Sequence, residues 1–492
     1  MRYRRLAATV VVVLVLGLVG AFAGPGWNPQ PLGHTIVPET PDTTIGSDVL
    51  TPPVGTYEVT REVVEVRVDD GVTVEATIAS PVGAPGRRPA VLFMHGAGTA
   101  TRNNFADTTT ALASAGVVTM VPDKRADTYT TRSRDYPGMA QDYLASLAVL
   151  RERDDVDPAE VGVYGESEGA IPAPIAAAGN DDVAFVVLVS APVVPIREQG
   201  ALAADSYLRD VGVPDPVLRA IPRLVGGTLP GGGFEYFDFD PSPYHQRLTQ
   251  PVLVVYGTAD ASMPIVQGPE VLVRDLERAD NDLYTIRYYA GANHGIRIDG
   301  VLAPGFTEDL ARWILGLPET ADAQPRIAGD QPVQAYRAEP VDQPRWFATG
   351  DMMVASFLVG FGLLALGAVT AAAGQVPRLW GRRVGALPAP LGRHTAALSM
   401  ATTATWVLFG SYLIGVADLA LNYRTNPLLA QGGWLVAQLV GILAAALLVQ
   451  VVETWWRRGA RGTGRAVVVL TLLGSLVLLV TAAYWGVYPA VL

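Results

Sequence analysis

Two kinds of apolar pattern divide this chain of 492 residues. Long, almost uninterrupted apolar runs occur once near the start and four times in the last third, whereas the middle carries only short apolar runs. A helix needs about 20 apolar residues to cross roughly 30 Å of hydrocarbon. Short buried runs that alternate with helices are typical of a parallel sheet covered on both faces.

The first long run lies within residues 1–24 and follows Arg2, Arg4 and Arg5. Its length favours a retained signal anchor, and cleavage after Ala23 is the alternative, because Ala21-Phe22-Ala23 also fits a signal-peptide site. A C-terminal domain is predicted over 351–492. Its four transmembrane helices are predicted at 352–374, 395–421, 433–452 and 466–488.

The arginines between these runs predict an orientation. They cluster before the first run, between the second and third runs, and between the fourth and fifth runs: Arg2, Arg4, Arg5, Arg378, Arg382, Arg383, Arg393, Arg457, Arg458, Arg461 and Arg465. The loop between the third and fourth runs holds only Arg424. The positive-inside rule then predicts a multi-pass protein of the cell membrane, with a cytoplasmic N-terminus and residues of about 25 to 350 outside the cytoplasm.

Residues 57–317 have the composition of a globular domain. Proline-rich segments without apolar periodicity predict linkers on either side, at 25–56 and 318–350. Two alternating stretches around Asp69-Asp70-Gly71 predict a β-hairpin. Strands are predicted at 89–96, 116–123, 161–165, 185–192, 251–257 and 285–291, and helices at 104–115, 137–152, 168–178, 265–279 and 305–316. The fold class is therefore α/β, with a mostly parallel sheet whose sites form at the carboxyl ends of its strands.

One motif at such a strand end carries chemistry. Gly165-Glu166-Ser167-Glu168-Gly169 follows the strand VGVYG and opens a helix, which is the context of a G-x-S-x-G nucleophile elbow. We expect Ser167 to be a catalytic nucleophile. The alternative is an ordinary serine at the start of a helix.

Partners for Ser167 follow at the next two strand ends. Asp260 comes after PVLVVYG and His294 after TIRYYAG, in the order Ser, Asp, His. A serine hydroxyl needs a base, and the base needs a carboxylate to orient it, so we assign His294 and Asp260 to these roles. For all three residues the alternative is a helix cap or a solvated turn, and Asp280 and Asp282 lie near enough to compete with Asp260.

Backbone donors for an oxyanion are expected at two places. The small residues of His95-Gly96-Ala97-Gly98 follow a strand and expose main chain, so Gly96 or Ala97 supplies one N–H. Glu168, the residue after the nucleophile, supplies the other. A plain glycine turn is the alternative for the first group.

Composition agrees with membrane segments and excludes other classes. The chain is 50% hydrophobic and 17% charged, with mean hydropathy +0.27, a formal net charge of −11 and no cysteine. This charge gives no basic footprint for nucleic acid. No metal-ligand spacing, phosphate loop or dinucleotide motif occurs, so neither a cofactor nor a metal is predicted.

Together, HGAG, VPDKR, DVDPAEVGVYGESEG, QPVLVVYGTAD and GANHG make residues 57–316 resemble the α/β-hydrolase superfamily, above all bacterial esterase, serine-aminopeptidase-like and dienelactone-hydrolase-like branches. The resemblance implies an eight-stranded sheet, a lid insertion at 193–250 and hydrolysis through an acyl-enzyme. It does not cover the C-terminal membrane region. The chain departs from relatives after Asp123-Lys124-Arg125, where it lacks their glycines, and at Glu166, where many have histidine.

Several residues keep two interpretations. Lys124, the only lysine of the chain, is expected in a structural ion pair, with substrate contact as the alternative. Glu166 and Glu168 are expected to be structural, and binding of a substrate cation is the alternative. The aromatic part of the insertion predicts a partly apolar acyl pocket, or else plain packing.

The sequence thus predicts a membrane-anchored, extracytoplasmic serine hydrolase that cleaves carboxylic esters or thioesters. Its partners would be a small-molecule or lipid ester, or a peptide, together with membrane lipids. A serine aminopeptidase or an envelope acyltransferase on the same triad is the rival enzyme. A transport or assembly protein with a hydrolase-like binding domain is the rival of another class.

Overall fold

The computed structural model describes residues 2–233, 235–374, 387–422 and 424–489. They divide into two compact units, each made of separate stretches of chain. The sheet unit comprises Pro29–Ala203 and Phe234–Pro340. The helical unit comprises Met1–Asn28, Ala204–Gly233 and Val341–Leu492. Part of the insertion predicted at 193–250 therefore belongs to the helical unit.

The strands of the sheet unit lie where short apolar runs occur in the sequence. They are β1 (Val59–Asp69), β2 (Val72–Pro81), β3 (Arg88–Met94), β4 (Val118–Pro122), β5 (Val156–Glu166), β6 (Val186–Val189), β7 (Val252–Gly257), β8 (Tyr284–Tyr289), β9 (Arg297–Ile298), β10 (Val301–Leu302) and β11 (Ile327–Gly329). The large sheet has the order β1-β2-β4-β3-β5-β6-β7-β8-β11. Only β2 runs antiparallel to its neighbours, and β9 pairs separately with β10. This is the mostly parallel sheet of an α/β-hydrolase fold, and the predicted fold class is confirmed.

Helices cover both faces of this sheet. Those of the sheet unit are α2 (Ala106–Ala115), α3 (Tyr136–Arg151), α4 (Pro172–Ala177), α8 (Ser242–His245), α9 (Gln267–Arg278) and α10 (Phe306–Leu315). α5 (Ile196–Asp210) begins in the sheet unit and ends in the helical unit. α6 (Asp215–Leu218) and α7 (Ala220–Val225) belong to the helical unit, as does α1 (Arg2–Phe22) at the start of the chain. A single helix was predicted at 168–178. It is divided into a 3-10 helix, Ser167–Ala170, and α4, because Pro172 lacks the N–H that would continue the first turn.

Alternating side chains of the strands build two cores. On one face, Val163 of β5 packs with residues of α3, α4 and α9. On the other face, Tyr164 packs with Phe93 and with residues of α2 and α10, including the fully buried Trp313. With both faces covered, the open edge at the carboxyl ends of the parallel strands is the place for a site.

The two segments predicted as linkers are partly ordered on the sheet unit. β11 lies within 318–350 and adds a ninth strand beside β8, where eight strands were expected. Gly329 N–H donates to Thr40 O at 2.8 Å, and Leu32 N–H donates to Ala335 O at 3.0 Å, so the two segments also bind each other. A strand of three residues is too short to show apolar alternation, which explains why the sequence pattern missed it.

The helical unit contains helices that are long and apolar enough to span a membrane. They are α1, α11 (Gly350–Ala373), α12 (Ala389–Leu421), α13 (Trp434–Arg458) and α14 (Thr463–Tyr484). Within the described residues these are five candidate spans, as predicted, the fourth extending over Leu428–Arg458. Arg378, Arg382 and Arg383, which helped to orient the chain, lie outside the described residues.

Each end of the helical unit has its own set of polar contacts. At one end, Glu453 of α13 pairs with Arg5 of α1 and with Arg457, both at 2.6 Å. At the other end, the buried Arg223 of α7 donates to Gly20 O of α1 at 2.7 Å. Gly231 N–H also donates to Asp351 of α11 there, at 2.8 Å. Residues 204–233 therefore lie at the end of the bundle opposite the Arg5–Glu453 pair.

Replacing Gly329 by alanine tests the ninth strand. Gly329 has φ 112°, and an added Cβ would lie 1.9 Å from Tyr288 O of β8. Gly71 also has a positive φ, 74°, but open space around it. We expect Gly329→Ala to destabilise the sheet unit by about 1–3 kcal/mol more than Gly71→Ala, because only the first change adds a clash. The measurement is denaturant unfolding of the full chain in detergent. Equal losses would contradict an ordered β11.

Candidate active site

Ser167 lies where β5 ends, at the open edge of the sheet. β5 is flanked by β3 and β6, and the 3-10 helix Ser167–Ala170 begins directly after it. Ser167 has φ 56°, a left-handed conformation that costs a non-glycine residue about 1–2 kcal/mol. A strained serine at a strand-to-helix turn is typical of a nucleophile elbow.

Close backbone contacts hold this turn. A Cβ on Gly169 would lie 2.1 Å from Met94 O, at the end of β3. A Cβ on Gly165 would lie 2.4 Å from Gly169 O. A side chain at Gly169 would force the turn away from β3, and one at Gly165 would clash with the turn itself, so both glycines are required by lack of space. The same packing places Gly96 beside Ser167, with an ideal Cβ on Gly96 3.3 Å from Ser167 Cβ.

Asp260 and His294 meet at the same edge. They follow the ends of β7 and β8, and His294 Nδ1 lies 2.8 Å from Asp260 Oδ2. If Nδ1–H donates to the carboxylate, Nε2 keeps a lone pair, which is what a general base for a hydroxyl requires. His294 and Ser167 line one cavity of about 500 Å³. The structure therefore brings together the three side chains that were selected from the sequence.

The environment sets the charges of this pair. Burial would raise the pKa of the Asp260 carboxyl, but hydrogen bonds from His294 and Ser262 outweigh it and lower the pKa. Burial would likewise lower the pKa of His294. The hydrogen bond and charge of Asp260, with a contribution from Glu166, instead raise it above its ordinary value. An ionised Asp260 beside a readily protonated imidazole suits proton transfer from a hydroxyl.

Two further serines, neither of them predicted from the sequence, fix the pair. Ser262 donates to Asp260 Oδ1 through its N–H, at 2.9 Å, and through its hydroxyl, at 2.7 Å. Its Oγ also lies 3.1 Å from His294 Nδ1. Ser190, just after β6, donates to His294 O at 2.7 Å. Their positions next to strand ends were the only signal in the sequence, and many serines share it.

The N–H groups expected to bind an oxyanion have no acceptor within the described part of the chain. These are the N–H groups of Gly96, Ala97 and Glu168. The neighbouring donors are used, because His95 N–H donates to Tyr143 Oη at 3.0 Å and Gly98 N–H to Tyr129 Oη at 2.9 Å. The expected donors are thus left available beside Ser167.

His95 holds the loop that carries these donors. Its ring is fully buried, and Nε2 lies 2.6 Å from Pro122 O, the last residue of β4. Burial lowers the pKa of His95 to about 4, so the ring is neutral near pH 7. Nε2–H then donates to the Pro122 carbonyl. His95 ties the loop to the sheet and makes no contact with His294 or Asp260 among the hydrogen bonds of the described residues.

The two glutamates that flank Ser167 differ in their surroundings. Glu168 is 5% exposed and pairs with Lys124 at 2.7 Å and with Arg134, while Tyr129 donates to it at 2.8 Å. Lys124 thus forms the structural ion pair that was expected. Glu168 is already neutralised within the chain, which leaves no basis for a substrate cation at this residue.

Glu166 instead lines the cavity with Ser167 and His294. It accepts a hydrogen bond from Tyr164 Oη at 3.0 Å, and no ion pair to it occurs among the described residues. Burial raises the pKa of Glu166, against the hydrogen bond from Tyr164 and the nearby charges of His294 and Arg297.

The cavity lies away from the insertion that was expected to form an acyl pocket. Its walls come from the loop after β3 with the start of α2, from the end of β5 with the turn after it, and from residues 294–306. They are His95, Gly96, Ala97, Thr99, Ala100, Asn104, Phe105, Thr108, Glu166, Ser167, His294, Gly295, Arg297, Leu302 and Phe306. Aromatic residues of the insertion, such as Tyr236 and Phe239, pack instead against Tyr136, Met139 and Ile171. Their role in the structure is packing, and no residue of 193–250 lines this cavity.

Comparison with known proteins finds likeness at the level of fold. No family model and no curated protein matches the chain. Among solved structures, a hyperthermophilic esterase from the archaeon Pyrobaculum calidifontis is 20% identical, covering 52% of this chain and 82% of its own, with TM-score 0.39. Dienelactone hydrolase from Anabaena variabilis is 18% identical, over 52% and 95%, with TM-score 0.35. Porphyromonas gingivalis dipeptidyl peptidase 4 is 16% identical, over 50% and 34%, with TM-score 0.37.

The charge of Glu166 should be visible in the titration of His294. Glu166→Gln removes a negative charge that stabilises the imidazolium, so the pKa of His294 should fall. Attack by Ser167 needs neutral His294, and the acid limb of its pH–rate profile should therefore move to lower pH. The measurement is the rate of Ser167 labelling by a fluorophosphonate across pH. Glu160→Gln, at the exposed start of β5, is the control, and an acid limb that stays in place in Glu166→Gln would contradict the prediction.

Proposed function

We propose that the sheet unit is a serine hydrolase that cleaves carboxylic esters or thioesters, and that the helical unit anchors it in a membrane. The observation that carries this proposal is the 2.8 Å contact between His294 Nδ1 and Asp260 Oδ2, in a cavity shared with the strained Ser167. A histidine paired with a buried aspartate, in one cavity with a serine at a nucleophile elbow, is the arrangement that activates a hydroxyl for acyl transfer.

Acylation follows from this geometry. His294 Nε2 takes the proton of Ser167 as Oγ attacks the acyl carbon, and Asp260 stabilises the resulting imidazolium. The oxyanion accepts hydrogen bonds from the N–H of Glu168 and from the N–H of Gly96 or Ala97. When the intermediate collapses, His294 gives its proton to the leaving oxygen or sulfur. An alcohol or thiol departs, and the acyl group stays on Ser167.

Deacylation repeats the sequence with water. His294 removes a proton from water, the hydroxide attacks the acyl carbon, and the same donors hold the second oxyanion. Collapse returns the proton to Ser167 and releases a carboxylic acid. If an alcohol replaced water as the acceptor, the enzyme would be an acyltransferase. If the substrate were an amide, the enzyme would be a peptidase. The residues that bind the substrate and the acceptor decide between these outcomes.

The cavity supports a substrate of moderate size. Its volume of about 500 Å³ lies within the ordinary range for small-molecule sites, roughly 300–1,000 Å³. Thr99, Asn104 and Glu166 give it polar walls, while Phe105 and Phe306 give it apolar ones. A small polar ester suits these walls better than a long alkyl chain.

Contacts within the helical unit support an extracytoplasmic site. Arg5 and Arg457 share Glu453 at one end of the bundle, which the positive-inside rule assigns to the cytoplasm. Residues 204–233 lie at the other end and are flanked in sequence on both sides by residues of the sheet unit. We therefore place the hydrolase active site outside the cytoplasm.

The same contacts support a retained first helix. Arg223 binds Gly20 O, and a Cβ on Gly20 would lie 2.5 Å from Ala483 O of α14. Leu16 of α1 is 5% exposed. Cleavage after Ala23 would remove all of these contacts.

A transport function has less support. Unpaired charges inside spans mark ion pathways. The acids that the sequence analysis identified are both paired near helix ends, Asp418 with Arg424 at 2.5 Å and Glu453 with Arg5 and Arg457. A hydrolase with a membrane anchor therefore explains the described residues better.

Labelling by a charged, membrane-impermeant fluorophosphonate tests the chemistry and the side of the membrane together. We expect intact cells that express the full chain to be labelled, and Ser167→Ala to abolish the signal. Ser47→Ala, at an exposed serine whose hydroxyl accepts only from Val49 N–H among the described hydrogen bonds, should label normally. Absence of Ser167-dependent labelling would reject the hydrolase. Labelling only after lysis would reject the orientation.

A substrate panel then separates the rival enzymes. Wild type and Ser167→Ala would be compared on p-nitrophenyl acetate and butyrate, on alanine p-nitroanilide, and on the acetate with added alcohol. We expect Ser167-dependent release from the esters. Preferential cleavage of the anilide would favour an aminopeptidase, and an ester product from the added alcohol would favour an acyltransferase.

The first helix gives a separate prediction. A chain tagged at both termini should migrate as a single species that carries both tags, because α1 stays within the helical unit. Loss of the N-terminal tag with a mass decrease equal to residues 1–23 would show instead that the segment is a cleaved signal peptide.

A further inference from the structure

The donors expected for the oxyanion come from two segments that are far apart in the sequence. Gly96 and Ala97 belong to the loop after β3, and Glu168 belongs to the turn after β5. An oxyanion hole works only if its donors keep a fixed distance and direction relative to one another. Some contact between the two segments must therefore maintain this geometry.

Lys124 contacts both segments. Its Nζ donates to Gly96 O at 2.8 Å and to Glu168 Oε2 at 2.7 Å. The Lys124 side chain is 3% exposed, so water does not compete for these bonds. The ammonium also lies 3.8 Å from the centroid of the Tyr129 ring, which stabilises the charge on its remaining side.

Tyr129 provides a second link between the same segments. Its hydroxyl accepts a hydrogen bond from Gly98 N–H at 2.9 Å and donates one to Glu168 Oε2 at 2.8 Å. Arg134 and Tyr136 bind the other oxygen of Glu168. The carboxylate is thereby held on all sides, and the backbone N–H of the same residue is held with it.

Peptide planarity turns the Lys124 contact into a directional one. In a trans peptide the carbonyl of one residue and the N–H of the next point in opposite directions. Because Gly96 O points at Lys124 Nζ, the N–H of Ala97 must point away from it. This assigns Ala97, rather than Gly96, as the donor whose direction is fixed.

We propose that the buried Lys124–Glu168 ion pair positions the two oxyanion donors, Ala97 N–H and Glu168 N–H, relative to each other. Lys124 is a positioning residue in this scheme and touches no reacting atom. The proposal rests on the proposed hydrolase function, and it accounts for the single lysine of the chain and for the acid that follows the nucleophile.

The chemistry of the pair fits positioning better than stability. Taking two opposite charges out of water costs roughly what their attraction returns, so a buried ion pair is weak evidence for a contribution to stability. Burial lowers the pKa of Lys124, and the charge of Glu168 opposes that fall. What the pair supplies is direction, through hydrogen bonds to two named atoms.

Kinetics of Lys124→Met on the full chain in detergent test the proposal. Methionine keeps much of the lysine volume but cannot bind Gly96 O or Glu168. We expect kcat for p-nitrophenyl acetate to fall about 10–100-fold with little change in KM, since one mispositioned donor acts on the transition state alone. Lys124→Arg, which keeps a charge but not the compact ammonium, should restore only part of kcat. Arg153→Met, which removes partly exposed pairs with Glu62 and Asp155, is the control and should keep wild-type kinetics.

Tyr129→Phe provides a second test in case Lys124→Met does not fold. It removes one hydroxyl, and we expect an unchanged unfolding midpoint with a smaller fall in kcat. Binding of a boronate that mimics the tetrahedral intermediate should weaken in both variants by the same factor as kcat. The proposal would be overturned if folded Lys124→Met kept the wild-type kcat. It would also be overturned if Tyr129→Phe kept both the wild-type kcat and the wild-type affinity for the boronate. Wild-type protein without Ser167-dependent turnover would instead overturn the proposed hydrolase function.

Discussion

The close contact between the turn after β5 and the end of β3 is the constraint on which the candidate site depends. Gly169 lies so near Met94 O that no side chain fits between them. This contact holds Ser167 in a left-handed conformation and brings the Gly96 loop beside it. Because β3, β5, β7 and β8 are parallel, Asp260 and His294 reach the same edge without any further device.

Charge under this edge is concentrated in two glutamates with opposite environments. Glu168 is bound by Lys124, Arg134 and Tyr129, and through Lys124 it connects two backbone segments. Glu166 forms no ion pair among the described residues and lines the cavity, where its charge raises the pKa of His294. The motif thus carries two acids with different roles. Glu168 stabilises the structure after the serine, and Glu166 before the serine acts on the charge of His294.

The division of the chain shows that the helical unit is not built from the two ends of the chain alone. Residues 204–233 belong to the helical unit although residues of the sheet unit precede and follow them, and Arg223 and Gly231 bind them to α1 and α11. Each unit is therefore built from separate stretches of chain. Without the helical unit, polar groups of this segment such as the buried Arg223 would lose their partners.

The sequence by itself determined the strands and the candidate spans, because these depend on where an apolar run lies and how long it is. It also singled out Ser167, Asp260 and His294, because each of them lies just after a predicted strand. Tertiary structure decided what depends on contacts between distant residues. β11 is recognised as a strand only because Gly329 lies beside Tyr288 of β8. The role of Ser262 is recognised only because its hydroxyl lies within hydrogen-bond distance of Asp260. The partner of Lys124, and the unit to which residues 204–233 belong, were likewise settled only by packing. Hydrogen bonds and ion pairs act between neighbours in space, and a sequence orders only neighbours along the chain.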